Sequence, residues 1–213
     1  MDRILIFDFD GVLANSLASM LLYAQQTCRE LGVDCTPTKD DLEALEKMEF
    51  SELGLQLGVP AEQIDQFVKR NFELFSRSEK PVPIMPGMDA VVSGLANIST
   101  LVIITGNSCG AVEKFLDEYQ LRSKFQTILC AEHEGTRMEK ILKVKQNANS
   151  GNTAIYMIGD AVSDIRAARE AEVKSIAVGW GHQSKQKLAQ ESPYLIVDRP
   201  EDLLEYFVNE ASK

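Results

Sequence analysis

Two aspartates at the end of the first apolar run carry the clearest chemical signal in the sequence. Asp8 and Asp10 lie at the end of the run 3–9, whose pattern predicts a buried strand. Residues two apart on a strand project to the same side, so the two carboxylates face one region of space. Unpaired carboxylates beside an apolar strand are costly to desolvate unless a cation or a proton compensates them. The pair therefore indicates a hard metal ion.

A second pair of aspartates follows another apolar run. Asp160 and Asp164 come directly after the run 154–158 and a glycine. Open sheets of parallel strands bind their ligands at the carboxyl ends of the strands. We therefore expect both acidic pairs to lie at one edge of one sheet.

A possible anion-binding segment lies between the two acidic pairs. The apolar run 101–104 ends in Thr105, followed by Gly106 and Asn107. A hydroxyl at a strand end, a glycine that lets the backbone approach a ligand, and the free amides of a following helix all suit an anion.

The elements that must position these residues alternate along the chain. Short β-rich runs are separated by longer helical patterns, which predicts an α/β fold: a doubly wound, mostly parallel sheet with helices on both faces. The strands are almost continuously apolar, as expected for strands covered on both sides. The predicted strands are 3–9, 101–104, 127–129, 154–158, 174–178 and 195–197.

The sequence between the first two strands does not follow this alternation. Residues 16–80 contain apolar residues at helical spacing and no convincing strand. The proline-rich segment 80–87 that follows cannot continue a helix. We therefore expect residues 16–80 to form an inserted α-helical domain, and residues 1–15 and 81–213 to form the α/β core.

The order and spacing of these motifs resemble those of the haloacid dehalogenase superfamily of hydrolases, and the resemblance covers essentially the whole chain. An insert directly after the first motif resembles the caps of the phosphoglycolate phosphatase-like and β-phosphoglucomutase-like members. The run Val178–Gly181 resembles the phosphatase members more than the mutase members. The matching residues are Asp8, Asp10 and Gly11 for the first motif, Thr105 for the second, and Asp160 and Asp164 for the fourth.

The resemblance implies a Rossmann-like core and phosphoryl transfer through a phosphoaspartyl intermediate. Asp8 would be the nucleophile, and Asp10 would act first as general acid and then as general base. Thr105 and the amides of Gly106 and Asn107 would bind the phosphoryl oxygens.

The resemblance also implies a Mg²⁺ cofactor, an ion that prefers six oxygen ligands. The ligands would be the Asp8 carboxylate, the main-chain carbonyl of Asp10 and the Asp160 carboxylate. Asp164 would bind directly or through water.

The third motif of the superfamily is a single Lys or Arg, for which the sequence offers three candidates. Arg137, Lys140 and Lys143 all precede the fourth motif. Spacing to Asp160 favours Arg137, whereas lysine is the commoner residue type in this role. Arg137 and Lys140 share one helix face, so both remain candidates.

Other functions fit the residues less well. Dehalogenases and phosphonatases of the superfamily lack an aspartate at the position of Asp10, and a non-catalytic relative should have lost motif residues. A phosphomutase remains open, because it uses the same core. Cys109 is expected to be a small buried residue without a functional role. The two histidines, His133 and His182, show no metal-ligand spacing in the sequence.

Composition limits the partners. The net charge of -10 disfavours nucleic acid and anionic lipid surfaces. The apolar runs are shorter than a membrane span, and the four cysteines lack paired spacing, so we expect a reduced, cytoplasmic protein. We expect a small phosphorylated substrate, whose identity, like the oligomeric state, is not encoded in any motif of the sequence.

Overall fold

A computed structural model of the chain describes residues 3–78, 82–148 and 153–211. These residues form one six-stranded sheet in which every strand pairing is parallel. Its strands are β1 (Arg3–Phe7), β2 (Thr100–Ile104), β3 (Phe125–Leu129), β4 (Ala154–Gly159), β5 (Lys174–Val178) and β6 (Leu195–Val197). The strand order across the sheet is β3-β2-β1-β4-β5-β6, so β1 lies between β2 and β4.

The α-helices account for most of the remaining described residues. None of the helices in the described part of the chain combines the length and the hydropathy needed to cross a bilayer. The helices are α1 (Leu17–Glu30), α2 (Lys39–Ala44), α3 (Phe50–Gln56), α4 (Ile64–Arg77), α5 (Met88–Leu95), α6 (Cys109–Glu118), α7 (Arg137–Gln146), α8 (Val162–Glu170), α9 (Lys185–Gln190) and α10 (Pro200–Ala211).

Both faces of the sheet are buried, because alternate residues of each strand project to opposite sides. On β1, Leu5 and Phe7 pack with α5, α6 and α10, whereas Ile6 packs with α7 and α8. Each face therefore has its own layer of helices. The predicted doubly wound α/β fold is confirmed.

The prediction for β1 was two residues too long. The strand ends at Phe7, although the Asp8 amide still donates to the carbonyl oxygen of Ile158 at 2.9 Å. Phe9 is apolar because its ring packs edge-on against Phe115, with ring centroids 4.9 Å apart, and not because it belongs to the strand.

The segment between β1 and α5 is helical, as predicted. Helices α1 to α4 pack around a hydrophobic cluster of their own, centred on buried residues such as Leu42, Leu53 and Phe67. We call α1 to α4 the helical insert. Its predicted boundary at residues 80 and 81 lies outside the described residues, so the division into core and cap stays a prediction.

Polar contacts connect the helical insert to the sheet domain near the end of α2. Gln183 Nε2 donates to the carbonyl oxygen of Leu45 at 2.7 Å. An Arg166 nitrogen lies 2.6 Å from a Glu46 carboxylate oxygen. These contacts fix one side of the insert beside α8 and α9.

Candidate active site

The predicted site residues meet at one edge of the sheet because their strands are neighbours. Asp8 follows β1, Thr105 follows β2, and Asp160 follows β4. All three side chains are buried. The sheet order therefore brings together residues that are far apart in the sequence.

A tight turn after β1 places Asp10. The amides of Leu13 and Ala14 both donate to the Phe9 carbonyl oxygen at 2.9 Å. Gly11 has a φ of 76°, and a side chain there would collide with the Asp160 carboxylate. Only glycine suits both demands, so the turn can bring Asp10 beside the second acidic pair.

Three carboxylates form a compact cluster with the geometry of a metal site. One oxygen each from Asp8, Asp160 and Asp164 lies within 4.8 Å of the others. The Oδ1 atom of Asp160 is buried and makes no hydrogen bond among the described residues, and the Oδ1 atom of Asp8 is buried in an ion pair with Arg137. Buried acceptors of this kind fit a hard divalent cation such as Mg²⁺. The carboxylate of Asp10 is outside this cluster, and its predicted metal ligand was its main-chain carbonyl.

Burial and repulsion from neighbouring carboxylates disfavour charge on Asp8, Asp10 and Asp164. Burial raises the pKa of Asp8 well above its usual value, although Arg137 opposes the shift. Burial likewise raises the pKa of Asp164 to about 6, again against the effect of Arg137. Burial also raises the pKa of Asp10, although hydrogen bonds from Ser16 and Asn107 oppose it. Without a bound cation, the site therefore favours protonated carboxyl groups.

Arg137 is the candidate third-motif cation that contacts the cluster. Thr136 caps α7: its hydroxyl accepts from the Glu139 amide at 3.3 Å, and the Glu139 carboxylate accepts from the Thr136 amide at 2.7 Å. Arg137 is therefore the first helical residue, and its Nη1 lies 2.9 Å from Asp8 Oδ1 and also pairs with Asp164. Burial lowers the pKa of Arg137, but the two carboxylates outweigh burial and raise it, so the side chain stays charged.

The two lysines lie elsewhere. Lys140 is buried, and its Nζ donates to the main-chain oxygen of Cys130 at 2.8 Å. Lys143 is exposed and lines a separate small cavity together with Ile4 and Gln126, near the amino ends of their strands. Neither lysine lines the cavity above the carboxylates.

The loop after β2 has the predicted residues but uses some of their hydrogen-bonding groups internally. The Thr105 hydroxyl accepts from the Asn107 amide at 3.0 Å. The Asn107 side chain donates to Asp10 Oδ2 at 3.0 Å, and its oxygen accepts from the Ser108 amide at 2.7 Å. Asn107 thus links the loop to Asp10, a contact that the sequence did not predict.

His182 is a site residue that the sequence analysis missed. It is buried, its Nδ1 lies 3.1 Å from Asp160 Oδ2, and its amide donates to the same oxygen at 2.7 Å. Burial lowers the pKa of His182, but Asp160 and the other nearby carboxylates outweigh burial and raise it. The available signal was its place directly after the run Val178–Gly181, which follows a strand of the same sheet edge.

The site opens into a cavity of about 810 Å³ between the sheet edge and the helical insert. Asp8, Asp10 and Arg137 lie on its wall at the sheet edge. Among the described residues, the insert contributes apolar or aromatic side chains and polar ones in equal number, the polar ones being three acids, two serines and one lysine. Its lining residues are Met20, Met48, Glu49, Phe50, Ser51, Asp65, Val68, Lys69, Phe72, Glu73, Phe75 and Ser76.

Comparisons with known proteins agree with this fold. Residues 5–178 match the family model described as haloacid dehalogenase-like hydrolase. The chain therefore belongs to that family. The family, fold class and enzyme class predicted from the sequence, the last being a phosphoric monoester hydrolase, are confirmed.

Several similar proteins match this chain over most of their own length. A phosphoglycolate phosphatase of Synechococcus elongatus is 25% identical over 94% of this chain and 95% of its own. A phosphoglycolate phosphatase of Agrobacterium fabrum is 28% identical over 91% of this chain and 87% of its own. A crystal structure of a putative phosphoglycolate phosphatase from Lactobacillus plantarum has the same fold, with a TM-score of 0.84 at 20% identity, over 96% of this chain and 99% of that one.

Proposed function

We propose that the chain is a Mg²⁺-dependent phosphatase that hydrolyses a small phosphorylated metabolite through a phosphoaspartyl intermediate on Asp8. The observation that carries the proposal is the setting of Asp8. Its carboxylate lies on the cavity wall, next to Arg137 and within the cluster completed by Asp160 and Asp164. An anionic phosphoryl group entering this cavity would meet a nucleophile and a cation at the same point.

In the first step, the Asp8 carboxylate attacks phosphorus and the bond to the leaving oxygen breaks. Asp10 gives its proton to that oxygen, a role that its raised pKa supports. In the second step, Asp10 takes a proton from water while the water oxygen attacks phosphorus. The bond between phosphorus and Asp8 breaks, which regenerates the carboxylate and releases phosphate.

Other residues of the chain hold the phosphoryl group. Arg137 would offset the negative charge of the transition state, and Thr105 with the amides of Gly106 and Asn107 would bind the phosphoryl oxygens. The internal hydrogen bond from the Asn107 amide to Thr105 would then be exchanged for one to the substrate.

Asp8, Asp160, the Asp10 carbonyl and Asp164 would hold Mg²⁺, which supplies charge neutralisation for the substrate and displaces protons from the carboxyl groups. Asp164 is already engaged: its Oδ2 accepts from the Ala161 amide at 3.1 Å, and its other oxygen pairs with Arg137. A water-mediated contact therefore suits Asp164 better than a direct bond.

A leaving group that has a short carbon chain and an anionic end, as in phosphoglycolate, would meet apolar surface and one lysine on the helical insert, beside three acidic residues. Phe50 and Phe72 provide apolar surface, and Lys69 is the one lysine that the insert contributes among the described lining residues. Asp65 and Glu73 lie one helical turn to either side of Lys69, so these two carboxylates share the helix face of that lysine. The names of the similar proteins support the same substrate class.

The test is release of inorganic phosphate from a panel of phosphorylated metabolites in the presence of Mg²⁺. We expect turnover by the parent, none by Asp8→Asn, and normal turnover by the control Asp117→Asn, which changes an exposed aspartate on α6. Mass spectrometry of acid-quenched parent should detect a phosphoryl group on the peptide that contains Asp8. Isomerised sugar phosphate without phosphate release would indicate the mutase instead, and near-parent activity of Asp8→Asn would contradict the mechanism.

A further inference from the structure

A second group of metal-ligating side chains lies close to the active site but outside it. The cluster consists of Cys109, Cys130 and His133, and one ligand atom from each lies within 4.8 Å of the others. The Cys109 Sγ and His133 Nδ1 atoms are 3.8 Å apart. Cys130 and His133 are three residues apart in one loop, but Cys109 comes from the start of α6, so sequence spacing did not indicate the complete cluster.

The fold explains the proximity. Cys109 is the first residue of α6, just after the loop at the end of β2, and Cys130 directly follows β3. Strands β2 and β3 are parallel neighbours, so their carboxyl ends lie side by side. His133 lies in the turn after Cys130. The sheet therefore holds the cluster together from two strands.

The separations suit a tetrahedral ion bound by sulfur and nitrogen. Zinc bonds of about 2.3 Å to sulfur and about 2.0 Å to nitrogen, at a tetrahedral angle, imply roughly 3.5 Å between the two ligand atoms. The observed 3.8 Å needs little adjustment. The Cys130 amide donates to His133 Nδ1 at 3.0 Å, so this nitrogen carries a lone pair, which a metal ion would take over.

We propose that Cys109, Cys130 and His133 bind a thiophilic divalent cation of the Zn²⁺ class, with water or Glu132 at the fourth position. The Glu132 carboxylate is beside the cluster, because its oxygens accept from the Cys109 amide at 3.0 and 3.1 Å. Sulfur and imidazole ligands select soft or borderline ions. The carboxylate cluster at Asp8 offers oxygen alone, so the two sites select different metals.

A disulfide between Cys109 and Cys130 is the main alternative. Both cysteines are free in the structure, and the third ligand, His133, has no role in a disulfide. A bound ion uses all three side chains and displaces the thiol protons.

The site would connect two parts of the active site. Cys109 follows the loop 105–108, and the carbonyl oxygen of Cys130 accepts from Lys140 on the helix that begins with Arg137. A bound ion would hold this loop and this helix in a fixed relation. This gives Lys140 a structural role distinct from that of Arg137.

The test is titration of the reduced full-length protein with Co²⁺ in excess Mg²⁺, so that Mg²⁺ occupies the carboxylates. We expect one Co²⁺ per chain, with a thiolate-to-cobalt charge-transfer band and the visible bands of a tetrahedral ion, all removed by Zn²⁺. Cys109→Ser and His133→Ala should weaken binding by more than about 100-fold. Cys35→Ser, which changes a free cysteine outside the cluster, should bind normally.

Two results would overturn the proposal. One is the absence of a charge-transfer band, or a band that persists in both Cys109→Ser and His133→Ala. The other is a protein two hydrogens lighter after purification in air, with a Cys109–Cys130 cross-linked peptide and no metal uptake after reduction. That second result would assign the pair to redox chemistry.

Discussion

Nη1 of Arg137 lies 2.9 Å from Oδ1 of Asp8, whereas Nζ of Lys140, one helical turn later, donates to the main-chain oxygen of Cys130. The two side chains start from the same helix face but reach different environments. The geometry supports Arg137 as the cation beside the nucleophile. The roles of both residues stay predictions until variants are measured.

Arg137→Ala should reduce turnover roughly a hundredfold, because losing a group that neutralises transition-state charge costs about 3 kcal/mol. Lys140→Ala should keep near-parent turnover in folded protein, measured as phosphate release at saturating substrate and Mg²⁺. Lys140→Met is the matched control, since it retains the buried side-chain stem without the charge. The opposite ranking would assign the role to Lys140, and normal turnover in both alanine variants would make Lys143 the next candidate.

Removal of divalent ions by a chelator should abolish phosphate release, and added Mg²⁺ should restore it. Ca²⁺ should not, because it takes more ligands at longer distances and would disturb in-line attack at Asp8. A Ca²⁺ titration of activity in chelator-treated protein checks this. Full turnover in Ca²⁺ alone would contradict a site built for six short oxygen bonds.

Asp164 should make the metal-free protein less stable as pH rises. Its folded pKa, about 6, is above its unfolded value, so the folded state binds this proton more tightly between about pH 4 and 6. The stabilisation is complete below that window and is lost as pH rises through it. Urea denaturation in chelator should therefore show Asp164→Asn gaining stability relative to the parent from pH 4 to pH 7.

The same protonation of Asp164 should weaken the binding of Mg²⁺. The increase in melting temperature caused by Mg²⁺ should be larger at pH 8 than at pH 5, because the ion must displace protons from the carboxyl groups. An equal increase at both pH values, or a relative stability of Asp164→Asn that falls with pH, would contradict the raised pKa.

His182 should position Asp160, which we proposed above as a metal ligand. We expect His182→Ala to need at least about tenfold more Mg²⁺ for half-maximal activity, with much of the turnover recovered at saturating Mg²⁺. His182→Asn is the matched control, because its side-chain amide can place a polar atom near the position of Nδ1. If His182→Ala has the parent's Mg²⁺ dependence, the contact at 3.1 Å has no part in metal binding.

The sequence predicted the strands well where burial determined the residue types. The bounds of β5 and β6 agree with prediction: β6 is apolar throughout, and β5 ends in three buried apolar residues after Lys174 and Ser175. At β3 the prediction missed Phe125 and Gln126, since this strand lies at the sheet edge and its exposed Gln126 gives no apolar signal. Hydrophobicity therefore located the strands but not all of their ends.

The site was predictable where an aspartate or a threonine directly follows a strand, because neighbouring strands bring such residues together at one edge of the sheet. Asp8, Thr105 and Asp160 meet for that reason. His182 and the cluster of Cys109, Cys130 and His133 were not predictable, because their contacts depend on how loops from different strands approach each other. Cys130 and His133 are three residues apart, but no spacing along the chain encodes their approach to Cys109.

The separate hydrophobic cluster of the helical insert has an evolutionary consequence. Its buried residues, such as Leu53 and Phe67, pack among α1 to α4, whereas Asp8 depends on the packing of the sheet. Substitutions at lining residues such as Phe72 can therefore accumulate without disturbing the reacting groups. Descendants of one ancestral enzyme can acquire new substrates by drift in the insert while inheriting unchanged chemistry.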